Sequence, residues 1–414
     1  MIGEWVSRKP LAVAATALAL CVPCTAADAR QVAVRQATPV FRLGGVNAAA
    51  AYAFAQPPRL VVDVDGYIYA RLPNDGAVSV FDPDGRFVRT IGRKGEGPGE
   101  FQVAAGHGLL GDTLWVINWP TPRVSRFLTN GTHIATSAMP VDYGHAFGGP
   151  PGVSALVRDG RVLVEPPSPV LGVDEPIHLP VMLATPDMRT RDTITFMPTP
   201  RGMFIPSVGV WTFAPVPTPP LVAVASNGSG IAIAEWSDAE PGVVDLRLLS
   251  PRGTERWRRS LRFDARVIPA SVRDSLIAVG VEKSRRQIEE ARRLGRDTRG
   301  SAESLVERGL SLPRHFAPVR RLVVGIDGTV WLEQMARAER ATWLVLDPDG
   351  RVQFEVQVPS GFTVEEASMY GVWGIEQDEW DVAYLVRLRV ENDDRMHGVR
   401  RIRFDEERSR EDDR

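Results

Sequence analysis

A recurring hairpin limits the folds open to this chain more than any other feature. The stretches VSVFDPDGRFVRT (78–90), RVSRFLTNGTHIAT (123–136), VDLRLLSPRGTERW (244–257) and WLVLDPDGRVQFEV (343–356) share one pattern. Each alternates apolar residues, breaks at Pro, Asn, Asp or Gly, and alternates again, which is how two antiparallel strands and a tight turn read in sequence. VMLATPDMRTRDTITF (181–196) is a weaker fifth copy, with Pro186 and Asp187 at its turn. Six further stretches precede these hairpins or follow the last: DGYIYAR (65–71), GDTLWVI (111–117), DGRVLVE (159–165), SGIAIAE (229–235), DGTVWLE (327–333) and YGVWGIE (370–376). Each couples a turn to a period-two strand with a large apolar residue near its middle: Tyr69, Trp115, Leu163, Ile233, Trp331 or Trp373. These six residues are expected to pack between repeats. Four strands in about 45 residues is the arithmetic of a propeller blade.

The expected fold is therefore all-β, a six-bladed β-propeller of four-stranded antiparallel blades. Two blade joins are too long, Pro198–Pro220 and Val267–Pro313. The second lies between blades four and five and carries the helical pattern: Ser271–Gly280, Glu282–Leu294 with a stop at Gly295, and a short Ser301–Arg308. The sixth blade lacks a clean fourth strand. VFRLGG (40–45) followed by Phe54 parallels VRTIGR (88–93) followed by Phe101, so residues 38–44 are expected to close the ring. GVRRIRF (398–404) is the rival closing strand, and DEERSREDDR (405–414) reads as a solvated tail.

The glycine-rich run GRKGEGPGEF (92–101) lacks the Ser or Thr of a phosphate loop after Lys94, and no helical pattern follows Phe101. It reads as a blade-to-blade crossing, with glycines for positive φ, Pro98 for stiffness and Phe101 tucked beneath. The longer run FDPDGRFVRTIGRKGEGPGEF (81–101) resembles the blade join of NHL-type six-bladed propellers. It is most similar to secreted bacterial propellers that share GRKGEGPGEF. The run from DGTVWLE (327) through WLVLDPDGRV and VPSGF to YGVWGIEQDEWDVAYLVRLRV (370–390) resembles the same group. The resemblance implies a fold over most of 38–390 and implies no activity.

The N-terminus reads as a targeting segment: Arg8 and Lys9 precede the apolar run Leu11–Val22, and Ala27-Asp28-Ala29 offers a cleavage site. The expected organisation is a signal peptide over 1–29, one propeller domain over 30–404 with the insertion at 267–313, and a charged tail over 405–414. The product would be exported, periplasmic or extracellular. A lipoprotein is disfavoured because Leu20 and Pro23 precede the cysteines. Cys21 and Cys24 both lie in the leader, so the mature chain would hold no thiol. A net charge of −2 removes the electrostatic reason to expect nucleic acid. No later stretch is long enough for a transmembrane anchor, and a monomer is expected.

In such a ring the blade joins and the loops after each second strand share one face, the top. The second strands end on Arg71, Ile117, Glu165, Glu235, Glu333 and Glu376. Arg71 and the four glutamates are the ligand-face candidates. His107, His145 and His315 fall near blade joins, and with the carboxylates they are weak candidates for a divalent cation that activates water. A solvated strand end explains glutamate equally well. The sequence requires no cofactor and names no catalytic residue, since neither G-x-S-x-G nor H-E-x-x-H occurs. The leading expectation is a binding or scaffold protein that takes a protein partner or small ligand on its top face. The alternative is a metal-dependent hydrolase or lyase, lactonase-like or amidating-lyase-like, with a channel site.

Overall fold

A computed structural model describes residues 29–72, 76–119, 121, 123–139, 152–165, 178–186, 189–198, 204–205, 210–211, 220–295, 301–303, 313–335, 340–391 and 399–405. The leader, the tail and the short helical pattern beyond 303 lie outside them. Within them the hairpins assemble into six four-stranded antiparallel blades. The innermost strands are Arg59–Val62, Val103–Leu110, Gly152–Leu156, Leu221–Val224, Val319–Val324 and Phe362–Ser368 for blades one to six. The fold is a six-bladed β-propeller.

Six apolar clusters show why the ring closes, because each joins one pair of neighbouring blades. Tyr69, Val80 and Phe101 pack against Leu114 and Phe127 between blades one and two. Trp115 meets Leu156 and Val164, and Leu163 meets Ile231 and Ile233, at the next two interfaces. Leu246 and Trp257 meet Leu332 and Leu344, and Trp331 and Trp343 meet Val372 and Leu388. The sixth cluster sets Trp373, Ile375 and Leu385 of blade six against Leu60, Ile68 and Phe81 of blade one. Strand residues alternate between two faces, and here both faces are buried, so strands such as Val330–Gln334 are buried throughout. Five of the six central apolar residues face the following blade. Ile233 faces back to blade three, because Ala232 and Ala234 occupy the other side and Trp257 fills the space beside them.

Closure uses both chain ends. Residues 37–44 pair antiparallel with 384–390 and supply the fourth strand of blade six. Phe54 then packs in the six–one cluster as Phe101 packs in the one–two cluster. The rival strand has a different place. Val399–Asp405 pairs with residues 29–33 and with the outer strand of blade four at 260–262, while residues 33–36 run parallel to the outer strand of blade five. The Gln36 side chain fastens this clasp, bonding Gln357 at 2.9 Å and Arg340 at 2.8 Å.

The second insertion carries one continuous helix, Ala270–Arg293, where the sequence pattern suggests a break at Gly280. A helical glycine costs about 1 kcal/mol relative to alanine, too little to end a helix of this length. The helix stands on a two-stranded stalk, with Ile268 N donating to Arg314 O and Phe316 N to Arg266 O. It touches a short hairpin of the first insertion, Phe204–Ile205 with Val210–Trp211, so the two insertions meet. Among the described residues no helix is long and apolar enough to cross a membrane.

The crossing at 92–101 has the expected construction. Gly92 has φ +78°, and a Cβ there would meet the Phe101 ring at 2.3 Å. Phe101 is fully buried and lies edge-on to Phe127, with centroids 5.8 Å apart. The Glu100 carboxylate accepts from Gly97 N at 2.9 Å and Arg93 Nε at 2.7 Å, which occupies the charges a phosphate would need.

Candidate functional site

Two innermost strands begin alike: RLVVDVDG at 59–66 and RLVVGIDG at 321–328. Leu-Val-Val packs into the blade, and the hairpin that follows needs the glycine. The arginine is left at the top end of the strand, where Arg59 pairs in register with Arg71 and Arg321 with Glu333. Blade six lies between blades five and one, and its innermost strand bulges between Val364 and Glu366. A bulge inserts an unpaired residue and re-aims its side chain. That residue is Glu365, and Arg59 Nη1 donates to its Oε1 at 2.7 Å.

Burial pushes the Glu365 carboxyl up, with Arg59 and Arg321 pulling it the other way. Its neighbour Glu366 is 3% exposed, and burial raises its carboxyl well above the usual range. Glu333 is also buried and raised, against the opposing pull of Arg321 and Arg320 at 3.5 and 3.7 Å. On the other side of Arg59, Arg71 is 8% exposed and donates through Nη1 to Ala104 O of blade two, while its Nε has no hydrogen-bond partner. Burial and the Arg59 charge bring Arg71 down to about 10. His107 is pushed down to about 3 by burial and by Arg71, so its ring is neutral. Its Nε2 lies 3.0 Å from Tyr69 O, and a carbonyl only accepts, so Nε2 carries the proton. Blades one, five and six thus bring arginines and buried carboxyls to one side of the channel mouth, where blade two adds the Ala104 carbonyl and the neutral His107.

The opposite end of the channel is crossed by the blade-four hairpin. Ser226 O accepts from Leu109 N of blade two, Gly228 O from Arg158 N of blade three, and Asn227 Nδ2 donates to Ile326 O of blade five, at 2.9, 3.1 and 2.9 Å. The blade-four hairpin therefore bridges the bottom of the channel.

The second-strand candidates sit at separate interfaces, each beside an arginine. Glu235 accepts from Thr195 Oγ1 at 2.7 Å and from Arg247 at 3.3 Å, between blades three and four. Glu333 belongs to the channel cluster. Glu376 pairs with Arg42 at 2.9 Å on the outer strand of its own blade. It lies three residues after Trp373, whereas Glu333 lies two after Trp331, so alternation turns it to the opposite face. The side chain of Glu165 and all of His145 lie outside the described residues. His315 Nδ1 lies 3.3 Å from Asp238 Oδ1 at the foot of the helical insertion, on a different element from His107. Among the described residues no group of three or more His, Cys, Asp or Glu is placed to hold a metal ion. Sequence reasoning missed Arg59, Arg320, Arg321, Glu365 and Glu366. The signal that would have found them was the charged residues within the innermost strands of blades one, five and six, where a strand faces the channel rather than another blade.

Residues 55–107 match a family described as a 6-bladed beta-propeller. A comparison with curated proteins finds no match. Among solved structures, a member of the duf4221 family from Bacteroides vulgatus aligns at 10% identity over 90% of this chain and 98% of that one, with a TM-score of 0.45. The PQQ-bound aldose sugar dehydrogenase from Streptomyces coelicolor aligns at 13% identity over 88% and 100%, TM-score 0.38. A catalytically inactive virginiamycin B lyase from Staphylococcus aureus aligns at 10% identity over 85% and 99%, TM-score 0.33.

Proposed function

We propose that the chain is an exported, single-domain β-propeller of NHL-like type, running over residues 30–404, that binds a ligand or partner at its top face. The channel-mouth cluster of Arg59, Arg71, Arg320, Arg321, Glu333 and Glu365 is the binding site. The observation that carries this reading is the burial of charge there. Keeping Glu333 and Arg71 from water costs stability unless something is gained, and groups with displaced pKa values gather at functional sites. The crossing of the bottom end by the blade-four hairpin supports entry from the top. The helical insertion, rooted at the top of blades four and five, covers or docks what binds. Export rests on the leader-like segment at 1–29.

Site-specific photo-crosslinking in the native envelope fraction tests the face. A crosslinker at Arg320, on the top, is expected to capture or be protected by a bound species. One at Tyr370, on the bottom hairpin of blade six, is expected to stay silent. Equal behaviour at the two positions would overturn the assignment.

A further inference from the structure

The charge balance of the cluster goes further, resting on the reading of the channel mouth as the binding site. Arg59, Arg71, Arg320 and Arg321 bring four guanidiniums, and Glu333 and Glu365 bring two carboxyls. Even with Glu366, on the same bulge and pushed up by burial, counted as a third carboxyl, the guanidiniums outnumber the carboxyls, and His107 is neutral. The mouth therefore carries an excess of positive charge, although the whole chain is slightly acidic. Arg59 and Arg321 flank Glu365 from blades one and five, and both pull on its carboxyl. Arg59 is exposed along most of its length while Glu365 is 10% exposed, so the arginine can swing to a ligand and the carboxyl cannot follow. Guanidinium groups pair with carboxylate and phosphate through two parallel hydrogen bonds.

We propose that the site takes a small oxyanion, a carboxylate- or phosphate-bearing molecule, on Arg59 and Arg321, and that the anion displaces Glu365 from Arg59 so that one proton enters with it. The proton goes to the Glu365 carboxyl. The groups facing that carboxyl are Arg59 and Arg71 from blade one, Arg321 from blade five and Glu366 on its own strand. Once Arg59 turns to the ligand, the largest pull holding Glu365 ionised is gone, and burial is opposed only by the Leu60 backbone hydrogen bond and the Arg321 charge. Binding therefore strengthens as pH falls through the range of Glu365, by up to about tenfold per pH unit for one coupled proton.

Calorimetry of the full chain with glucuronate, inorganic phosphate, neutral glucose and spermidine tests this. One or both anions are expected to bind and glucose is not, with proton uptake seen as a heat that depends on the buffer. The anion that binds more tightly identifies the oxyanion class. Glu365→Gln is expected to tighten binding and remove its pH dependence. Pairing Arg59→Gln with Glu365→Gln removes one charge of each sign, leaves the net charge of the site unchanged and is expected to weaken binding at least tenfold, whereas Arg86→Gln at the rim changes nothing. Spermidine binding that Glu365→Gln abolishes would overturn the anion class and leave the channel mouth as the site. Anion binding that survives the paired change would place the site elsewhere and overturn both readings. Failure of both anions to bind at millimolar concentration would overturn the oxyanion proposal alone, since the crosslinking test of the face stands apart from it.

Discussion

Carboxylates at the rim of the ring and at its channel are held in opposite ways. At the rim, Asp82 Oδ1 accepts from Asp84 N at 3.0 Å and Arg86 N at 2.8 Å, and Asp347 Oδ1 accepts from Asp349 N and Arg351 N at the same two distances. Two blades repeat one turn, each with glycine at positive φ in its last position. Asn130 does the same work for Thr132 N, as Asn227 does for Ser229 N in the hairpin that crosses the bottom of the channel. At the channel, Glu333 Oε2 is buried without a hydrogen-bond partner, and Glu365 is held by the exposed Arg59 and by the Leu60 backbone. The rim spends its charges on shape. The channel keeps buried charges with few partners, so the residues most conspicuous in the hairpin turns are structural and the candidates for function lie along the innermost strands and the strand ends beside them.

Five perturbations sharpen this contrast, one of them a control, beginning with the largest. Removing residues 30–45 takes away the fourth strand of blade six and half of the clasp. The ring is expected to lose cooperative unfolding and to self-associate through the exposed edge, as read by calorimetric melting and light scattering. Removing 406–414 is expected to change neither. Phe101→Ala, which empties the pocket beneath the glycine crossing, is expected to cost about 3–5 kcal/mol in denaturant unfolding. At the rim, Asp347→Ala removes two backbone hydrogen bonds and is expected to cost about 1–2 kcal/mol, with ligand binding unchanged.

Glu366→Gln is the smallest and depends on pH. The folded carboxyl is raised above its unfolded value, so its contribution is fully present in acid and is lost as pH rises through the folded pKa. The variant is expected to melt above the wild type at neutral pH, and the gap to close as pH falls through the ordinary carboxylate range. A gap that widened in acid would mean that Glu366 is stabilised as an anion.

The sequence made the architecture legible because turn chemistry and period-two alternation are local. Each C-terminal hairpin of a blade, from 78–90 to 343–356, was readable from a dozen residues. The closing strand was readable too, since 40–45 and Phe54 repeat 88–93 and Phe101. What stayed hidden depends on contacts between distant segments. The pairing of 399–405 with 29–33 and 260–262 has no local mark. The site was only partly legible for a related reason: Arg71 and Glu333 reach the cluster, but Glu235 and Glu376, which look like the same column in one dimension, pair elsewhere. Glu365 gains its role from a bulge that only pairing reveals.

The most direct test exchanges the two regions in one experiment. Anion affinity and melting temperature are measured for the channel pair Arg59→Gln with Glu365→Gln, and for the rim pair Asp82→Ala with Asp347→Ala. The account predicts a crossed result: the channel pair loses binding by at least tenfold and melts like the wild type, while the rim pair melts lower and binds like the wild type. A channel pair that melts lower while binding unchanged would contradict it, since those charges would then serve the fold.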